Sequence, residues 1–174
     1  MKILGIDLAG KPTNPTGICI IAGDEIELKT VYSDGSILEI TAESTPQVIA
    51  IDAPLMRGQP RLREADKVLK QYGALPPSLP SMRDLTFRGS HLAAQLTPRY
   101  MIIEVFPTAT AKILGIYNQD YRKMAETLDV NVNSKHECDA YLCCLTAKLF
   151  LAGKTMVVGD EEGTIMVPMS SSLI

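Results

Sequence analysis

"LGIDLAGKPTNPTGICII", residues 4–21, reads as a strand, a loop and a second strand, with Asp7 set inside the first apolar run. A carboxylate in a buried strand costs several kcal/mol unless it is paired, hydrogen-bonded or bound to a cation. All three resolutions are open from this stretch alone. The partner has to come from the rest of the chain.

Working outward, residues 2–8 and 16–22 are predicted strands, and "EIELKTVYS" (25–33) is a third with an alternating pattern after the Gly23-Asp24 turn. Three strands in a row imply an antiparallel meander. A weakly amphipathic stretch covers 34–43. "QVIAIDAPL" (47–55) then carries the short apolar run of a strand buried on both faces, ended by Pro54. A charged amphipathic helix is predicted over 61–72, followed by the Pro-rich loop "GALPPSLPSM" (73–82) and a helix over 83–96. "YMIIEVFP" (100–107) reads as another buried strand, and 108–128 as a small helical segment. "SKHECDAYLCCLTAKLFLAG" (134–153) is a helix closing at Gly153, and "TMVV" and "GTIMVP" are a terminal pair of short strands. This order of elements is that of an α/β, ribonuclease H-like fold: a central mixed five-stranded sheet, its antiparallel meander extended by parallel strands, flanked by helices.

At 174 residues, 46% hydrophobic, the chain suits a single domain over 1–174 with one core. Its net charge of −3 gives no global attraction for a polyanion, so a nucleic-acid ligand needs a local basic surface. No apolar run reaches the ~18 residues of a membrane span, and Met1 leads directly into a strand, so the expectation is a cytoplasmic protein without a membrane partner. Cys19, Cys138, Cys143 and Cys144 form no CxxC pair and suit reduced thiols in a cytosolic core.

Three further acids interrupt apolar elements. Asp52 ends its strand, Glu104 breaks "MIIEVF", and Asp139 falls in the first turn of an apolar helix. Each has a plain alternative: Asp52 begins a turn, Asp139 complements a helix dipole, and Glu104 pairs with an arginine. Taken together with Asp7, they are expected to converge where the carboxyl ends of parallel strands open on one crevice. Carboxylates about 4–5 Å apart repel by roughly 3–4 kcal/mol at an effective dielectric near 20, so such a cluster calls for cations. Mg²⁺ or Mn²⁺ is the expected cofactor, with Asp7 as a ligand and phosphodiester hydrolysis as the chemistry. His136 shares a helical face with Asp139 and is expected to position water or move a proton.

"GIDLAG", "IAIDAPL", "RLREADKVL", "IIEVFPTATAKILGI", "KHECDAYLCCLTA" and "GDEEGTIMVP" together resemble the DUF429 family, predicted nucleases of the ribonuclease H-like superfamily. The likeness runs over nearly the whole chain. Within that superfamily, the strand-one aspartate, the acid ending the fourth strand and the aspartate of a final "HxxDA" helix also resemble RuvC-type resolvases and YqgF-like proteins. That resemblance implies that Asp7, Asp52 and Asp139 are the metal ligands and catalytic acids, with His136 as the site histidine. Glu104 belongs to the "EVFP" pattern. Where the resolvases carry a glutamate at the second position, this chain has Asp52.

Between 57 and 99, Arg57, Arg61, Arg63, Lys67, Lys70, Arg83, Arg88 and Arg99 face three acids, giving that segment +5 and the remainder −8. The segment is therefore the expected phosphate-contacting surface for RNA or DNA, with a solvated helix face as the plain alternative. With no Trp, backbone contacts are expected to dominate over base stacking. Two rival functions stand beside a nuclease. One is a non-catalytic nucleic-acid or protein-binding module. The other is a phosphotransferase using "GIDLAGKPTNPTG" as an actin-like phosphate loop, of which the chain has one copy.

Overall fold

The computed structural model describes residues 1–170. Strands β1 (Lys2–Asp7), β2 (Thr16–Ala22) and β3 (Glu25–Val31) form the expected antiparallel meander. Helix α1 (Asp34–Ser44) leads to β4 (Val48–Asp52), which runs parallel to β1. Helices α2 (Glu64–Leu69) and α3 (Pro80–Leu96) lead to β5 (Met101–Glu104), parallel to β4. The sheet order is β3-β2-β1-β4-β5, so the two crossovers extend the meander on the β1 side. Helices α4 (Pro107–Ile113), α5 (Tyr121–Thr127) and α6 (Lys135–Leu151) follow, then a hairpin of β6 (Thr155–Asp160) and β7 (Gly163–Pro168).

The pleat divides the core into two layers. Ile3, Val48, Ala50 and Ile103 face α6 through Ala140, Cys143, Cys144 and Ala147. Leu4, Ile6, Ile49 and Ile51 face the other way, onto Ile37, Leu92 and Leu96 of α1 and α3. Helix α6 lies unusually close to the sheet because glycines face it. A Cβ at Gly5 would overlap the carbonyl oxygen of Ala140, and one at Gly17 the carbonyl oxygen of His136. All four cysteines are buried free thiols. Among the described residues no helix is long and apolar enough to cross a membrane.

Several boundaries differ from expectation for local reasons. The helix predicted over 61–72 starts only at Glu64, because Arg63 has the extended backbone of an N-cap (φ −103°, ψ 165°), and it ends in a 3-10 turn over Lys70–Tyr72. Helix α3 begins earlier, at Pro80, whose fixed φ and missing N–H suit a first helical turn. The segment 108–128 is two helices, parted by Gly115 at φ 73°. The strands predicted over 47–55 and 100–107 stop at Asp52 and Glu104.

Candidate active site

Asp7 and Asp52 are the last residues of neighbouring parallel strands and are register partners. In-register residues on adjacent strands leave the same face, with strands about 4.8 Å apart. That face is the one α6 covers. Helix α6 is capped by Ser134, whose hydroxyl accepts a 3.2 Å bond from the Glu137 amide, and this anchors its first turn over the strand ends. His136 Nδ1 then lies 2.7 Å from Asp7 Oδ2. With the carboxylate as acceptor, Nδ1 donates, and Nε2 is the remaining ring nitrogen. Asp139 follows one turn on. Because the helix begins at Lys135, Asp139 occupies its second turn rather than its first.

The acids register one another electrostatically. Burial pushes Asp52 well above the usual carboxylate range, with Asp7, then Asp139, then Glu104 adding repulsion. Asp139 rises to about 6, first through burial and then through Asp7. Two basic side chains from the first turn of α6 answer them. The hydrogen bond to Asp7 chiefly raises His136. Lys135, with Nζ 3.4 Å from Asp139 Oδ2, is raised above all by that carboxylate. Lys135 was not singled out in the sequence, although its i,i+4 spacing to Asp139 is a readable signal.

Among the described residues no group of three or more His, Cys, Asp or Glu is arranged to hold a metal ion. The fit to Mg²⁺ or Mn²⁺ is therefore one of donor chemistry. Asp7, Asp52 and Asp139 offer hard oxygen donors whose mutual repulsion a divalent cation relieves.

Glu104 follows its plain alternative and pairs with an arginine. Its register partner is Ile51, one residue before Asp52, so the pleat turns it to the opposite face from Asp7 and Asp52. Both its oxygens are engaged. Arg63 Nη1 donates to Oε2 and Nη2 to Oε1, each at 2.7 Å, and the Leu55 amide also donates to Oε2 at 2.7 Å. Arg63 further donates to Asp66, from Nε at 3.1 Å and from Nη2 at 2.8 Å. Burial pushes Glu104 up to about 7 against the pull of Arg63. The unit ties α2 and β5 to the turn leaving β4, immediately beyond Asp52.

This corrects the expectation for two of the predicted phosphate contacts. Arg63 has a side chain 0% exposed and committed to Asp66 and Glu104. Arg88 is buried, donating to Asp34 at 2.8 Å and to the carbonyls of Ala9 and Tyr32 at 2.6 and 2.7 Å, so it staples the loop after β1. A buried guanidinium whose donors are already committed cannot also reach solvent phosphates. Arg61 and Lys67 are exposed but pair with Glu162 and Glu64, at 3.2 and 3.0 Å. Arg57 and Arg83 are exposed, and no bond or ion pair of their side chains occurs among the described residues.

Asp52 and Asp139 each border a small cavity. One, about 60 Å³, is bordered by Asp52, Arg63, Glu104, Met82, Leu85 and Phe106. The other, about 70 Å³, is bordered by Asp139, Lys135, Thr108, Tyr117, Asn118 and Gln119. Larger grooves of about 420 Å³ lie around Arg122 and Asn131 and around Arg57 and Ala94, and neither contains a site acid.

No family model matches the chain, and no curated protein matches it. Among solved structures it is similar to T. thermophilus RuvC in complex with Holliday junction substrate, with a TM-score of 0.53 and 14% identity over 88% of this chain and 97% of that one. At that identity the likeness establishes the fold, which is ribonuclease H-like. The resemblance to the DUF429 family rests on the sequence motifs.

Proposed function

We propose that the chain is a divalent-metal-dependent nuclease that hydrolyses phosphodiester bonds in the crevice of Asp7, Asp52 and Asp139. One observation carries the reading. Three acids from two strands and a helix are gathered, part-buried, close enough to repel one another, at the cost of pushing Asp52 well up and Asp139 to about 6. Packing alone gives no reason for such a cluster, and perturbed carboxylates at strand ends suit a reaction site. The solved neighbour, RuvC, is in complex with a Holliday junction substrate, which supports nucleic acid, DNA or RNA, as this chain's partner.

Asp7, Asp52 and Asp139 would hold Mg²⁺ or Mn²⁺, which when bound activates water and stabilises charge on phosphate oxygens. His136, oriented through Nδ1 by Asp7, holds or moves a proton at Nε2. Lys135, 68% exposed at its side chain, keeps a mobile positive charge beside Asp139 that suits a phosphate oxygen. Arg57 and Arg83 supply sequence-independent contacts to the backbone. Glu104 acts at one remove: with Arg63 it fixes the Leu55 amide and so the turn that carries Asp52.

The test is a cleavage screen of purified protein over RNA and over single-stranded, duplex and branched DNA, with Mg²⁺ or Mn²⁺. Cleavage of at least one substrate, lost in Asp7→Asn, is expected. Tight binding without cleavage of any substrate would favour the non-catalytic module instead.

A further inference from the structure

The cavity of about 70 Å³ is bordered on one side by Asp139 and Lys135 of the proposed site, while its opposite wall, with Thr108, Tyr117, Asn118 and Gln119, has no part in the hydrolytic chemistry above. The wall comes from the start of α4 and the loop after it. There Gly115, at φ 73°, turns the chain, and the amides of Ile116 and Tyr117 both donate to the Ala111 carbonyl, at 3.0 and 3.1 Å. Tyr117 is thereby set at the mouth with 44% of its surface exposed. Its ring is not loose. Lys112 Nζ lies 4.9 Å from the ring centroid and is itself held by a 2.9 Å bond to the Tyr72 carbonyl.

Beside the ring stand polar groups with spare capacity. Asn118 Oδ1 accepts a 3.0 Å bond from the Asp120 amide, which leaves its NH₂ to donate. The Thr108 hydroxyl and the Gln119 amide make no bond among the described residues. A pinned, half-exposed aromatic face flanked by side-chain donors and acceptors is the equipment for an unpaired base. Phosphate needs only cations, and a duplex keeps its base faces covered. The cavity is too small for a whole nucleotide, so the base rests on Tyr117 and only an edge enters.

Resting on the nuclease reading, we propose that this cavity is a specificity subsite for one unpaired nucleotide of a single strand, beside the scissile phosphate. Tyr117 stacks on the base, and Thr108, Asn118 and Gln119 hydrogen-bond its edge or its sugar. Among the described residues Tyr117 is the one aromatic bordering this cavity, so the stacking is limited to a single base.

The experiment is fluorescence anisotropy in EDTA at low salt, with a short labelled single strand and the matching duplex as probes. Tyr117→Ala should weaken single-strand binding by roughly 5- to 100-fold, the range of one lost base stack, and leave duplex binding unchanged. Tyr117→Phe should retain wild-type affinity, and melting temperatures of both variants should match the parent. Equal loss on both probes, or none on either, overturns the subsite while the nuclease reading stands. If the wild-type protein binds neither probe, the subsite falls, and the cleavage screen with Mg²⁺ or Mn²⁺ decides the nuclease reading separately.

Discussion

His136 Nδ1 and Asp7 Oδ2 stand 2.7 Å apart although 129 residues separate them in the chain, so the first strand and the last long helix meet at the proposed site. The contact depends on a third residue that carries no chemistry. Gly17 is the register partner of Asp7 on β2, and its missing side chain is what lets the His136 backbone approach.

Gly17→Ala should therefore damage both fold and site. The added methyl would overlap the His136 carbonyl, and overpacking against backbone costs about 3 kcal/mol. Differential scanning calorimetry should show a drop of roughly 6–12 °C for a chain of this length. An unchanged melting temperature would mean that α6 does not seat on β2 as described.

The metal-free protein should carry a pH-dependent strain. Asp139 titrates at about 6 in the fold against an ordinary 3.8, because burial and then Asp7 disfavour its charge. A raised carboxyl pKa costs stability as pH climbs from about 4 to about 6, and the cost stays constant above that. It amounts to about 3 kcal/mol. Asp139→Asn should thus melt higher than wild type at pH 7–8 in EDTA and equally at pH 4. It should also lose the stabilisation that Mg²⁺ gives the parent. A lower melting temperature at neutral pH would make Asp139 a structural ion-pair partner of Lys135.

The arginines of the basic segment should separate into two groups. Arg63→Ala removes one partner from a buried carboxylate pair and should destabilise by roughly 3–5 kcal/mol. Arg57→Ala and Arg83→Ala should leave the melting temperature alone. Each should weaken nucleic-acid binding and lower the salt slope by about 1. Salt titrations of binding that show no change in either variant would make these residues a solvated surface.

On the reaction, Asp7→Asn should abolish cleavage, whereas His136→Ala should lose about 10²- to 10⁴-fold, the usual range for a positioned acid or base. Single-turnover rates across pH would check this. Equal loss in both variants would mean that the imidazole is indispensable to the metal site itself rather than to proton movement.

What could be read from the sequence follows from how visible each residue's misfit is. β1, β2 and β4 are apolar runs, so Asp7 and Asp52 stood out as charges where solvent should not reach. Glu104 stood out equally, but its destination depends on two things a linear pattern hides. One is the register that pairs it with Ile51. The other is an arginine 41 residues away within a segment that reads as a charged surface helix. Arg63 and Arg88 illustrate the same limit, since a buried guanidinium and an exposed one look alike until their carboxylates are located. Lys135 reads as an ordinary helix-surface pair with Asp139. Gly5 and Gly17 read as strand residues, although they decide how close α6 can lie. The split of 108–128 into two helices turned on one glycine, Gly115.

Whether the three carboxylates share a cation is asked most directly by anomalous diffraction from a crystal soaked in Mn²⁺. The predicted result is a manganese peak contacting carboxylate oxygens of Asp7, Asp52 and Asp139, absent from crystals of Asp7→Asn. A soaked crystal with no peak at these residues, the Asp7–His136 and Asp139–Lys135 pairs left intact, would contradict it.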